Sequence, residues 1–77
     1  MDDLPYKIKR LRELRNYTQE YMAGRLGISQ RGYSKIESGK SALSVQRLRQ
    51  IAGALECTPA DLMEKPLQEL IAYHFGQ

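Results

Sequence analysis

Apolar residues recur along the chain every three or four positions, which is the spacing of helices that bury one face. The first stripe consists of Ile8, Leu11 and Leu14. A helix start at Asp3 or Leu4 fits the proline at position 5, because proline lacks the amide hydrogen that the first turn leaves unpaired. The stripe predicts a helix to about Arg15, and Asn16 suits the left-handed residue that ends it.

Two short helices are predicted next, with a tight turn between them. Thr18 suits the cap of a helix that runs through Leu26 and stops at Gly27, and Ser29 opens another helix almost at once. This third helix runs to about Ser38, where Gly39 ends it. The inward positions of the two helices are Met22, Ala23, Leu26, Tyr33 and Ile36. The opposite side of the third helix is polar and consists of Arg31, Ser34, Lys35 and Ser38.

The second half of the chain continues the helical pattern. Ser44 is predicted to cap a fourth helix, whose apolar stripe is the longest in the sequence. That stripe consists of Val45, Leu48, Ile51, Ala52 and Leu55. Thr58, Pro59 and Asp61 together mark the start of a short fifth helix. Its apolar residues are Leu62 and Met63.

Pro66 interrupts the fifth helix, and a further apolar stripe follows as far as Gly76. Its residues are Leu67, Leu70, Ile71, His74 and Phe75. We therefore expect an all-α fold with a five-helix domain over residues 1–65 and a short extra helix over residues 66–77. Because the five-helix core is complete without it, we expect the C-terminal stripe to form a symmetric homodimer. The alternative is that this helix folds back onto its own domain.

Composition narrows the chemistry. The chain has 77 residues, of which 42% are hydrophobic, and one Phe and no Trp suit a helical core of aliphatic side chains. Cys57 and His74 are its only cysteine and histidine, so a disulfide framework or a multi-ligand zinc site cannot form within one chain. We interpret Cys57 as a partly buried apolar residue and His74 as a surface or interface side chain. No metal and no cofactor is expected.

Neither a membrane segment nor an export leader is visible, since no run of about 20 apolar residues occurs and the start lacks a basic region before an apolar one. A cytoplasmic location is expected. Residues 1–40 hold nine Lys and Arg against five Asp and Glu, and residues 41–77 hold three against four. The resulting balance of +4 against −1 favours a polyanionic partner. No positioned nucleophile or acid–base pair can be found, so an enzyme is not predicted.

The segment from Gln19 to Ile36 has the features of a helix-turn-helix: Ala23 where two helices cross closely, and Gly27 where the turn needs positive φ. The sequence TQEYMAGRLGISQRGYSKIESGK, preceded by IKRLRELR and followed by LSVQRLRQIAGALECTPADLM, resembles the Cro/CI (Xre-like) helix-turn-helix family. The resemblance covers roughly residues 6–63. It implies a lambda-repressor-like five-helix bundle whose recognition helix is residues 29–38, and a regulator of transcription, in the first place a repressor.

The same resemblance assigns candidate contacts to double-stranded DNA. Gln30 and Arg31 are the candidates for base reading, because Gln pairs with adenine and Arg with guanine, and Ser34 and Lys35 lie one turn further on. The expected backbone contacts are Gln19, Lys40 and Ser41. The family also places a paired arginine and glutamate at Arg12 and Glu37, which would tie the first helix to the third. With a homodimer, the operator would be palindromic.

The sequence departs from the family pattern at two positions, and two other functions are possible interpretations of it. Gly32 stands where the family usually has a larger residue, and Tyr33 replaces the usual aliphatic. Gly24 to Gly27 matches the GxxG loop of a KH domain, but the strands of that fold are missing. The other alternative is a protein-interaction module of the same fold, such as an antitoxin or a coactivator.

Overall fold

The computed structural model describes residues 3–75, with the side chains of residues 3–73. Six helices and no strand occur in this part of the chain, as the pattern predicts. They are α1 (Leu4–Leu14), α2 (Gln19–Leu26), α3 (Gln30–Glu37), α4 (Val45–Ala54), α5 (Pro59–Glu64) and α6 (Leu67–Phe75). The expectations for the side chains of His74 and Phe75, and for Gly76, lie outside the described residues.

The first five helices begin at the caps that the sequence indicates. The capping side chains and the backbone amides that donate to them are Asp3 and Tyr6, Thr18 and Tyr21, Ser29 and Gly32, Ser44 and Arg47, and Thr58 and Asp61, at 2.8–3.0 Å. Each such cap contributes about 1 kcal/mol of stability. The predicted left-handed residues have φ of 60° at Asn16, 69° at Gly27 and 77° at Gly39. Glu56 has a positive φ that the sequence does not indicate.

The core lies where α1 to α4 meet, and α5 and α6 close one side of it. Its largest fully buried side chains are Tyr33, Ile8, Leu11, Met22, Ile51, Leu55, Leu62 and Leu70. Two residues of the predicted stripes are exposed instead, since Val45 is 68% and Leu14 38% exposed. Both occupy a terminal residue of their helix.

The C-terminal helix α6 folds back onto its own domain. Leu70 is fully buried, Leu67 is 8% exposed, and Ile71 packs against the same core. This is the alternative that the sequence left open. The described part of the apolar stripe is therefore covered within one chain, and it needs no second copy to exclude water.

Three basic side chains close the carboxyl ends of other helices. Lys7, which is only 4% exposed, donates from Nζ to the carbonyl of Met63 at 3.3 Å and to that of Lys65 at 3.0 Å, at the end of α5. In the same way Arg15 Nε donates to the carbonyl of Leu55 at 2.8 Å, and Arg47 Nη1 to that of Leu26 at 3.2 Å. A positive charge is favourable at a helix carboxyl end. Part of the basic excess is therefore structural.

Cys57 is half-buried, and burial raises the pKa of its thiol to about 11. The thiol is therefore protonated at neutral pH, in keeping with a role in packing. Among the described helices, none combines the length and the apolar character that crossing a membrane requires.

Replacing Gly24 by alanine is expected to stabilise the domain by about 0.5–1 kcal/mol, because an alanine in a helix loses less backbone freedom on folding. An added Cβ at this position of α2 meets nothing within 4 Å. Gly27→Ala is the matched control, and it should destabilise by roughly 1 kcal/mol because alanine is strained at a φ of +69°. Urea unfolding of both variants measures the two effects; equal effects would contradict this account of the turn.

Candidate nucleic-acid interface

Helices α2 and α3 form a compact pair around a three-residue connection. Ala23 is 3% exposed on the inner side of α2, where a larger side chain would hold the neighbouring elements apart. Gly27 turns the chain in the left-handed conformation, and the amide of Ile28 then donates to the carbonyl of Ala23 at 3.0 Å. Ser29 caps α3 immediately afterwards. The local sequence thus fixes the direction in which α3 leaves the turn.

The outer side of α3 lines an open depression of about 530 Å³. Six of the seven predicted DNA contacts meet there, together with Ser38. The lining residues are Gln19, Gln30, Arg31, Ser34, Lys35, Ser38 and Lys40. The seventh predicted contact, Ser41, lies in a neighbouring depression beside Gly32 and Ile36.

The depression is positively charged. Arg31, Lys35 and Lys40 are exposed, and within residues 3–73 their side chains take part in no hydrogen bond or ion pair. No carboxylate is among the described residues that line it. Because these cations have no partner in the described fold, their charge is available to an anionic ligand.

Beneath this surface, the Glu37 carboxylate joins three helices. Arg12 of α1 donates to it from Nε at 2.6 Å and from Nη2 at 3.2 Å, and Gln19 of α2 donates from Nε2 at 3.2 Å. The hydroxyl of Tyr33 donates to the same carboxylate. The side chains of Arg12 and Glu37 are 11% and 4% exposed. A carboxylate has about four acceptor positions, so Glu37 is saturated.

Arg12 also ties down the chain that leads into α2. Its Nη1 donates to the carbonyl of Tyr17 at 2.7 Å. The hydrogen bond to Glu37 raises the pKa of the Arg12 guanidinium above its ordinary value, so it is charged at neutral pH. The network therefore fixes α3 against both α1 and the start of α2.

A sequence model of the helix-turn-helix family matches residues 8–62, which is more than half of the chain. The chain belongs to the Cro/CI-type helix-turn-helix family. It is therefore a DNA-binding regulator, in a family that is generally not enzymatic. No curated protein matches the chain.

Of the two residues of α3 that depart from the family pattern, Tyr33 has a physical explanation. The Tyr33 ring is fully buried, and its hydroxyl reaches Glu37 one turn later. Burial, and then the hydrogen bond to Glu37, raise the pKa of Tyr33, so it remains a donor. Sequence reasoning missed this contact, although the spacing of four residues is the signal that could have found it. At Gly32 an added Cβ would lie 3.3 Å from the capping hydroxyl of Ser29. This contact does not explain the glycine, because Tyr21, Arg47 and Asp61 occupy the same position after the caps of α2, α4 and α5.

The side chain of Gln19 contacts Glu37 and also faces the depression. Its amide donates one hydrogen to Glu37, while the side chain also lines the depression beside α3. An amide nitrogen carries two hydrogens, so one remains for a ligand. In this helix-turn-helix protein, Gln19 is oriented before any ligand arrives.

A double-mutant cycle for Arg12→Gln and Glu37→Gln should give a coupling above about 0.5 kcal/mol in the free energy of unfolding, because each change leaves a buried partner unsatisfied. The control is the pair of Arg10 and Glu13, which lie 2.8 Å apart but are about two-fifths exposed. Exposed pairs of this kind couple by a few tenths of a kcal/mol. Chemical unfolding of the single and double variants and the parent measures both cycles, and additive effects at Arg12 and Glu37 would contradict the network.

Proposed function

We propose that the protein regulates transcription by placing α3 in the major groove of double-stranded DNA, where Gln30 and Arg31 read base edges. The observation that carries this proposal is the depression on α3, which gathers six predicted contacts and three unpaired cations, with no acid among its described lining residues. A major groove is about 12 Å wide and admits one helix. In this fold type the first residues of the recognition helix meet the bases, and Gln30 and Arg31 are the first two residues of α3.

Backbone contacts are available on both sides of α3. Gln19 is the first residue of α2, where the helix dipole and free amides favour a phosphate. Lys40 follows α3, and the amides of Lys40 and Ser41 both donate to the carbonyl of Lys35, at 2.9 and 3.2 Å. These bonds hold the loop close to the end of α3. Two phosphate contacts that flank a helix fix its register in the groove without reading sequence.

Repression is the mode of regulation that we propose. A small domain bound across a promoter excludes polymerase without any further surface, whereas activation needs a defined contact to the transcription machinery. A role as an antitoxin or coactivator would instead depend on a protein partner. Binding to duplex DNA that weakens steeply with salt supports the regulator, and salt-insensitive capture of a protein in the absence of DNA binding would overturn it.

Arg31→Ala should weaken binding to the preferred sequence and relax the base preference at one position per half-site, because an arginine–guanine pair is worth about 1–3 kcal/mol of discrimination. Lys40→Ala is the matched variant, and it should weaken all sequences about equally since a phosphate contact carries no sequence information. Selection of duplexes from a random pool, followed by titration of selected and random sites, measures both. An equal loss on the two kinds of site in Arg31→Ala would contradict its role in base reading.

We further propose that the protein binds a palindromic operator as a symmetric homodimer. One α3 presents few side chains to the bases, and a twofold pair reads two half-sites about 34–36 Å apart, which squares the discrimination. The apolar C-terminal stripe gives less support than the sequence suggested, because Leu67 and Leu70 are buried in their own domain. In the part of α5 and α6 whose side chains are described, the large apolar residues that remain exposed are Met63 and Tyr73.

Sedimentation velocity at micromolar concentration should show two chains on each selected duplex, since the operator contains two half-sites. Replacing Met63 and Tyr73 together by glutamate should lower the stability of that complex if α5 and α6 form the interface. The control is Glu64→Gln, which changes an exposed polar residue of α5 and should leave the complex intact. One chain bound per duplex at saturation would contradict the dimer.

A further inference from the structure

A small depression between α1 and α3 lies beside the large one on α3. Its volume is about 150 Å³, and it is lined by Lys9, Gln19, Ser34, Glu37 and Ser38. Gln19, Ser34 and Ser38 also line the larger depression, so the two surfaces are continuous. Lys9 and Glu37 line it but not the larger one, and Lys9 is the cation that α1 adds to the surface.

Lys9 differs from the basic residue next to it. Arg10 is paired with Glu13 at 2.8 Å on another face of α1. Lys9 is exposed, and among the described side chains it has no hydrogen bond or ion pair. Arg10 is therefore paired, whereas Lys9, which lies beside α3, has no partner among the described side chains.

The depression offers several donors to an anion. The Lys9 ammonium is joined there by the hydroxyl of Ser34 and by the second amide hydrogen of Gln19, since the first is bound to Glu37. Ser38 contributes less, because its hydroxyl already donates to the carbonyl of Lys35 at 3.2 Å. A phosphate oxygen accepts hydrogen bonds from ammonium, hydroxyl and amide groups alike.

One carboxylate also lines the depression, but it presents little free negative charge. The side chain of Glu37 is 4% exposed, and it accepts four hydrogen bonds. Its charge is balanced by the guanidinium of Arg12 at 2.6 Å. The positive charge of Lys9 is therefore uncompensated, and the surface can attract an anion despite the glutamate.

We propose that this depression binds one backbone phosphate of the DNA, with Lys9 as the contact from α1. The inference rests on the proposed function and extends it, because the bound strand then passes from the groove-facing side of α3 across the start of α2 onto α1. Phosphate chemistry alone would also fit a free inorganic anion. The continuity of the depression with the surface on α3 favours the phosphodiester backbone.

The test compares Lys9→Gln with Arg10→Gln, since both remove one charge from α1 and keep a residue that favours helix. Affinity is measured from about 0.05 to 0.2 M salt, on the selected duplex and on a random one. Lys9→Gln should reduce the magnitude of the negative slope of log K against log salt by about 0.9, which corresponds to a loss of roughly tenfold at the lowest salt. The loss should be equal on both duplexes, and Arg10→Gln should leave slope and affinity unchanged.

Each other outcome has a defined meaning. An unchanged slope in Lys9→Gln, with the parent protein still binding DNA, would overturn the phosphate site and leave the proposed function intact. Failure of the parent to bind any duplex would overturn the proposed function itself. Titration with inorganic phosphate, followed by NMR at the Lys9 amide, tests whether the depression binds a free anion. Saturable binding at Lys9, together with a DNA affinity that Lys9→Gln does not change, would assign the depression to a free anion.

Discussion

The saturated carboxylate of Glu37 is the constraint on which the rest of the structure depends. A buried carboxylate is costly unless its charge is balanced and its acceptor positions are filled. Glu37 meets both needs only when α1 supplies Arg12, α2 supplies Gln19 and Tyr33 lies one turn earlier on α3. The angle of the recognition helix against its neighbours is therefore set by hydrogen bonds with fixed directions as well as by apolar packing, which tolerates small rotations.

The same principle sorts the basic residues of the chain into two groups. Lys7, Arg15 and Arg47 close the carboxyl ends of helices, and Arg12 balances Glu37. These cations are held by groups of the protein, so their side chains are not available to contact an anionic partner. The charge that reaches solvent around α3 comes from residues that the fold does not use. Net charge alone therefore says little about where an anionic ligand would bind. It is more informative to know which basic side chains are already paired within the fold.

Much of this fold is predictable from local sequence, since capping side chains, prolines and helix-terminating residues act within a few positions of the chain. The apolar spacing likewise identified most of the core. Contacts between residues that are far apart in the sequence could not be predicted in this way. Nothing near Lys7 in the sequence indicates that its ammonium binds carbonyls 56 and 58 residues later. Arg12 and Glu37 were paired only through the family resemblance. The exposure of Val45 and the burial of Leu70 likewise depend on tertiary packing, which the spacing of apolar residues does not specify.

The residues that hold α3 in place differ from those that are exposed at its start. Gln30 and Arg31 are exposed and start α3, while the groups that hold α3 in place, Tyr33 and Glu37, are on its inner side. Surface substitutions away from caps and buried partners usually change stability by less than about 0.5 kcal/mol. In the proposed mode of DNA binding, base preference can therefore be altered at the outer positions with little effect on folding, because the orientation of the helix is determined by residues on its inner side.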